Sequence, residues 1–377
     1  MDLEVRDAVP AQSPVGPVVV PESAPVTFAE ILKHPDIAAR FQQIRQYFFL
    51  RESTYDMTSR CNVRCDGCYY FEGDKQHALD NVDVAAWRDL FRAERDRGIT
   101  FVVLAGAEPA LVPELLEVCY GEIPRGAIAS NGLVRIPASV GYRIHVSVWG
   151  NDATSERVRK AKRMLERQIE LYAGDLRAVF VYTFTRENIA EARPVVEALA
   201  KNGCQVTFNM FSATVGYKGP LTHTAESLAQ TRQTMVRLLA DFPDHVIFSP
   251  YSAAAHTDVR SLHDLFSCPY PRQNSGQFGL GRTFRQYRSD LSWVREASCC
   301  VPDTDCADCR HYAAGSAIVT ARMNRHIGSA DQFRAWLDYV DTYLAVWIQG
   351  YKKSPNLCAV PPSPAQAMPP AIQGPPR

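Results

Sequence analysis

The chain has 377 residues, 46% hydrophobic and 22% charged, enough apolar content for a large core spread over two domains or one α/β barrel. Its 41 basic residues balance 41 acidic ones, which removes the electrostatic reason to expect nucleic acid or an anionic membrane as a partner. No apolar run reaches the roughly 20 residues that cross a bilayer, and the start, Met1-Asp2-Leu3-Glu4-Val5-Arg6-Asp7, has no signal-peptide pattern, so the expected compartment is the reducing cytoplasm, where eleven cysteines point to metal or redox chemistry.

In chain order, residues 1–27 read as a proline-rich tail, carrying Pro10, Pro14, Pro17, Pro21 and Pro25. One helix is expected over about 28–50. A strand ending near Tyr55-Asp56-Met57 leads into a cysteine loop, and a helix over about 81–97 places Val84, Trp87, Leu90 and Phe91 on one face. Five further apolar strands follow at 99–104, 127–129, 144–148, 179–184 and 205–210. Helices are expected between them at 113–120, 154–172 and 188–202, then at 224–241 before the run Val246-Ile247-Phe248. Short continuous apolar strands, each followed by a helix, specify a parallel sheet covered by helices, and six or seven such units fit a partial or complete βα barrel over 28–250. Beyond 250 the alternation stops; 251–353 reads as a smaller module rich in cysteine, glycine and arginine with a closing helix near 330–350, and 354–377 as a second proline-rich tail.

The loop after the first strand carries Cys61, Cys65 and Cys68 at a Cys-x3-Cys-x2-Cys spacing. Three thiols on a short loop can hold three irons of a cubane cluster and leave the fourth open; a zinc knuckle with a distant fourth ligand is the alternative. In its place after strand one of a βα barrel, the motif resembles that of the radical S-adenosylmethionine (SAM) superfamily. The family often has an aromatic residue just before the third cysteine, where this chain has Gly67, with Tyr69-Tyr70-Phe71 following. After the second strand, Gly106-Ala107-Glu108-Pro109 resembles the Gly-Gly-Glu-Pro segment that contacts the amino group of SAM. After the third, Ser130-Asn131-Gly132 resembles a Thr-Asn-Gly element near the ligand. On the fourth, Ser147-Val148-Trp149-Gly150 with downstream Arg157 and Arg159 resembles a Ser-Leu-Asp-Gly segment and its arginine, with Trp149 in the aspartate's place. The resemblance implies SAM contacts from Gly106, Ala107, Glu108, Pro109, Ser130, Asn131 and Ser147, and from Arg159, which register favours over Arg157.

A second group, Cys268, Cys299, Cys300, Cys306 and Cys309, has the intervals five then two between Cys300, Cys306 and Cys309. Read from the residues, this is one metal centre, zinc or iron–sulfur, or unligated thiols. Many members of the superfamily carry a SPASM or twitch extension with an auxiliary cluster. The intervals depart from the SPASM core, so the resemblance implies only an auxiliary-cluster-like region, most simply a 4Fe-4S cluster on Cys268, Cys300, Cys306 and Cys309, with Cys299 a possible substitute for Cys300. Cys119, Cys204 and Cys358 have no assigned role, and His145 on the fourth strand reads as a satisfied, partly buried histidine.

The activity implied is reductive cleavage of SAM at a 4Fe-4S cluster, fed by a reductant such as flavodoxin or ferredoxin, to a 5′-deoxyadenosyl radical that abstracts hydrogen from, or adds to, a substrate. The main expectation for that substrate is a small-molecule biosynthetic intermediate. The alternatives are a peptide or protein side chain, and, from another class, a non-catalytic iron–sulfur or zinc protein.

Overall fold

The structure is a computed structural model and describes residues 26–48, 50–72, 79–266, 284–293 and 305–358. In chain order the elements are α1 (Phe28–Ile31), α2 (Pro35–Arg45), β1 (Glu52–Asp56), α3 (Tyr69–Glu72), α4 (Val84–Asp96), β2 (Phe101–Ala105), α5 (Pro113–Glu122), β3 (Gly126–Ser130), β4 (Arg143–Val148), α6 (Asp152–Arg159) and α7 (Met164–Tyr172). There follow β5 (Ala178–Phe184), α8 (Ala192–Lys201), β6 (Val206–Met210), α9 (Ala225–Asp241), α10 (Pro250–His256), α11 (Leu262–Phe266), β7 (Gln286–Tyr287), α12 (Tyr312–Thr320) and α13 (Ala330–Trp347).

All seven strands are parallel, in the order β6-β5-β4-β3-β2-β1-β7. Strands β1 to β6 therefore lie side by side in sequence order, as in a βα barrel, with no pairing of β6 to β7 among the described residues; the barrel is partial. The α/β architecture expected from the sequence is the one present. Side chains alternate across each strand: Val102 and Leu104 pack outward in the main core, whereas Val103 and Ala105 face the barrel interior.

Local chemistry sets the helices. The Asp83 carboxylate accepts the N–H of Ala85 and starts α4. Trp87 and Phe91, four residues apart on α4, are fully buried beside Tyr55 of β1, each worth about 2–3 kcal/mol of burial.

The single helix expected over 154–172 is two, because Lys160 and Arg163 take left-handed backbone angles of φ 56° and 48°. Asp152 favours the break: its carboxylate accepts the N–H of Leu165 at 2.7 Å, near the start of α7. The helix expected over 28–50 is also divided, at Pro35, which opens α2. At Val246-Ile247-Phe248 only one parallel bridge forms, from Val246 to Val206 beside β6.

A second core joins the two ends of the described chain. Ile31, Ile37 and Ile44 of α1 and α2 pack with Tyr251, Leu262, Ile318 and Trp336 of α10 to α13. The end of α13 closes the barrel floor, where Val346 and Trp347 meet Phe101, Ala127 and Val179. Of the proline-rich tails, residues 1–25 and 359–377 lie outside the described residues. The stretch 354–358, expected as tail, is held: the buried Asp338 carboxylate accepts the N–H groups of Leu357 and Cys358 at 2.7 and 3.0 Å.

Candidate active site

The carboxyl ends of β1 to β4 carry the residues singled out by the sequence. At β1 and β2 the chain ends are pressed together: the Met57 N–H donates to Ala105 O and the Ala107 N–H to Thr58 O, both at 3.0 Å. Gly106 sits at φ 115°, and a Cβ there would come within 3.0 Å of the backbone of Met57 and Thr58. Only glycine fits.

Glu108 is buried, and its carboxylate accepts the Ala110 N–H at 3.0 Å, the Ser130 hydroxyl at 2.8 Å and the Asn131 N–H at 2.7 Å. Burial raises its pKa most, opposed first by the Asn131 N–H. The expected role of an ammonium partner is thus preceded by a bracing one, since this carboxylate ties β2 to β3. Pro109, also buried, opens the short 3-10 turn whose amide Glu108 caps.

The cysteine loop is fixed from several sides. The Asn131 Nδ2 donates to Asn62 Oδ1 at 2.6 Å and lies 3.7 Å from Cys61 Sγ. Arg159 is buried, with Nε 3.4 Å from Cys65 Sγ and a guanidinium hydrogen bond to Ser147 O. Arg157, by contrast, is exposed and pairs with Glu187 at 2.7 Å. The Asp66 N–H donates to Val158 O at 2.8 Å, docking the end of α6 on the loop. Burial raises the Cys61 thiol and pushes the Cys68 thiol up to about 11.

Among the described residues no three or more Cys, His, Asp or Glu converge as ligands of a single metal ion. A cubane cluster asks for less convergence, because each thiolate binds its own iron. The donor set fits that demand: three partly exposed thiols on one loop, two with N–H donors at hydrogen-bonding range of sulfur, the kind of outer contact that tunes such clusters. In the second group only Cys306 and Cys309 are described, the first opening a short 3-10 turn and the second following it; Cys268, Cys299 and Cys300 lie outside the described residues.

Below the loop, the barrel encloses a cavity of about 200 Å³. Its wall includes Gly67 and Tyr69 of the loop region, Ser147 and Trp149 at the end of β4, and Thr183 and Asn209 of β5 and β6. Tyr312, Tyr343 and Trp347 from the carboxyl-terminal helices complete it. His145 lines it too and is satisfied on both nitrogens, by Tyr312 Oη at 2.7 Å and Val346 O at 2.9 Å. Since the carbonyl only accepts, Nε2 carries the proton and Nδ1 accepts from the tyrosine. Two members of the site carried no readable signal. Gln168 braces β3 to β4 by donating to Asn131 O at 2.7 Å and Ser147 O at 2.8 Å. His311 joins the cavity wall from the segment after Cys309.

Comparison with solved structures finds the same architecture elsewhere. Streptococcus suis SuiB bound to S-adenosylmethionine superposes with a TM-score of 0.50 at 13% identity, covering 72% of this chain and 65% of SuiB. The chain shares the fold of SuiB. SuiB bound to its precursor peptide SuiA gives 0.49 at 12% identity over 72% and 64% of the two chains. The FeFe-hydrogenase maturase HydG of Carboxydothermus hydrogenoformans gives 0.40 at 12% identity over 82% and 81%. This chain thus spans just under two thirds of the length of SuiB. No family model matches it, and neither does any curated protein. No helix among the described residues is long and apolar enough to cross a membrane.

Proposed function

We propose that this chain is a radical SAM enzyme that modifies a side chain of a peptide or protein. The observation that carries the activity is the three-cysteine loop at the end of β1, whose Cys61 and Cys65 sulfurs face N–H donors of Asn131 and Arg159 at 3.7 and 3.4 Å above a walled cavity. Cys61, Cys65 and Cys68 would hold a 4Fe-4S cluster. Reduced and with SAM bound, that cluster supplies one electron to the sulfonium, breaking a carbon–sulfur bond to give methionine and a 5′-deoxyadenosyl radical. The chain's own contribution is position and dryness: the Glu108 and Gln168 braces hold the strand ends, and Trp347 blocks the floor, so a radical formed here meets substrate before water.

The cavity, about 200 Å³ and partly open to solvent, supports the side-chain reading in that one group of a larger molecule can enter it while the rest stays outside. A one-electron reductant of the flavodoxin or ferredoxin kind belongs to the same proposal, as does a second cluster at Cys268, Cys300, Cys306 and Cys309. The test is anaerobic reconstitution with iron and sulfide, then dithionite and SAM. Formation of 5′-deoxyadenosine is expected, and its absence overturns the activity. Mass spectrometry of added peptides then separates the substrate classes, a peptide changed in mass being the expected result.

A further inference from the structure

The two helices that stand where one was expected over 154–172 meet at a basic turn, and that turn lies on the cysteine loop. The stretches 60–66 and 157–167 carry eight lysines and arginines against two acids, Asp66 and Glu166, in a chain of zero net charge. Of these cations only Arg159 is buried. Helix stability does not account for the turn. Lys160 and Arg163 both take left-handed backbone angles, a conformation disfavoured for residues with a long side chain. Lys162 and Arg163 directly precede α7, where the helix dipole favours acids over cations, and Arg163 makes no side-chain hydrogen bond as its N-cap. Two local preferences are overridden in the same four residues, the pattern of a surface kept for another use.

The position of the turn says which use. Ala161 and Met164 pack with Val63 against Cys61 and Cys65, and the Lys160 ammonium donates to the Asp66 carboxylate at 2.9 Å. Lys162 and Arg163 stand outside them, their side chains 81% and 66% exposed. This is the outer side of the loop: the chamber wall takes Gly67 and Tyr69 but none of Cys61, Cys65, Ala161 and Met164. The acids that meet these cations are themselves at the surface, Glu156 for Lys162 at 3.5 Å and Glu166 for Arg163. Exposed pairs of this kind contribute little, so a partner's carboxylates can take their place.

We infer that the turn Lys160–Arg163 is the docking face for an acidic protein that delivers single electrons to the centre held at Cys61, Cys65 and Cys68. Electron transfer weakens steeply with distance, and here one layer of side chain, Ala161 and Met164, separates the surface from two of the thiols. Encounters between redox partners are small and short-lived, and complementary charge raises their rate. In each encounter the carrier loses one electron and the centre gains it, with no bond or proton exchanged. The substrate keeps the chamber side of the loop to itself. The inference rests on the radical SAM reading of the site and gives its reductant a place to bind.

The test uses an acidic flavodoxin as probe. Calorimetry reads its binding to the full chain before cluster loading. With the reconstituted chain, SAM cleavage is driven by photoreduced flavodoxin or by a neutral, zwitterionic viologen that needs no docking. Lys162→Glu with Arg163→Glu should weaken flavodoxin binding and raise its KM by about tenfold, with the viologen-driven rate unchanged. The same reversal near the ends of α8 and α9, Lys201→Glu with Arg237→Glu, should alter neither. Raising salt from about 20 to about 200 mM should weaken flavodoxin binding to the wild type, and the reversed turn should lose most of that dependence. An unchanged flavodoxin affinity in the reversed turn, or an equal loss with the viologen, overturns the inference. A loss confined to an added peptide would give the face to the peptide and overturn it too. If the wild type cleaves SAM with neither reductant, the reading of the site fails, and flavodoxin binding to the unloaded chain still decides the docking face.

Discussion

The Asn131 backbone N–H meets the Glu108 carboxylate at 2.7 Å, so two residues expected to touch the same ligand are first bonded to each other. Glu108→Gln would put an NH₂ group where a carboxylate oxygen now accepts, facing an N–H or a hydroxyl. A buried donor without an acceptor costs about 1–3 kcal/mol. A lower urea midpoint is expected, together with weaker SAM binding by equilibrium dialysis, because the ends of β2 and β3 lose their brace.

Arg157 and Arg159 lie two residues apart on α6 and meet different surroundings. Arg159→Met removes the Nε donor 3.4 Å from Cys65 Sγ; fewer N–H donors to a cluster sulfur lower its reduction potential, so redox titration followed by EPR should show a more negative midpoint. Arg157→Ala removes an exposed ion pair worth about 0–1 kcal/mol and should leave the midpoint where it is.

The floor of the chamber depends on one indole. Trp347 packs 4.5 Å from His145 and stacks on Tyr312 at 5.3 Å between ring centres. Trp347→Ala should cost about 3–5 kcal/mol, read from the shift in guanidinium midpoint at constant slope.

At the opposite side of α13, Asp338 accepts two backbone N–H groups and stands 3.5 Å from buried Arg40. Asp338→Ala leaves Arg40 with Asp341 at 3.0 Å and frees the chain beyond Ser354. A loss of about 3 kcal/mol is expected, with faster trypsin cleavage after Lys352 and Lys353.

Acid sensitivity follows from four buried imidazoles bonded on both nitrogens. Burial pushes His145 down to about 3 and His223, His256 and His326 down to about 4, against about 6.5 unfolded. Below pH 6.5 the unfolded chain takes up protons that the folded chain refuses, so stability falls as pH falls, by about 1.4 kcal/mol per pH unit for each histidine. Urea midpoints measured from pH 7.5 to 5 should decline steeply below 6.5; a flat profile would show that these rings do not stay neutral in the fold.

Much of this architecture was legible because local and global signals agree. The five strands β2 to β6 fall within two residues of their apolar runs, since a strand buried on both faces is mostly apolar, as β5 is at every position but Thr183. The split at Lys160 to Arg163 was not legible, because left-handed angles at two basic residues have no sequence signature. The union of α1 and α2 with α13 was hidden too, since contacts between residues 40 and 341 leave no local period. The cysteine loop announced itself by spacing; Gln168 and His311 work through tertiary placement alone, and a glutamine on an amphipathic helix or a histidine after a cysteine has many ordinary explanations.

The barrel floor carries a consequence for the order of events in synthesis. Domains fold as the chain emerges, amino-terminal parts first, and all six barrel strands precede the residues that close their lower end. Until Val346 and Trp347 leave the ribosome, the nascent barrel is a tube open at the base. A centre loaded at Cys61, Cys65 and Cys68 in that interval would stand over an unsealed channel. Sealing therefore comes last, and the reactive chamber exists only once the carboxyl-terminal helix has docked.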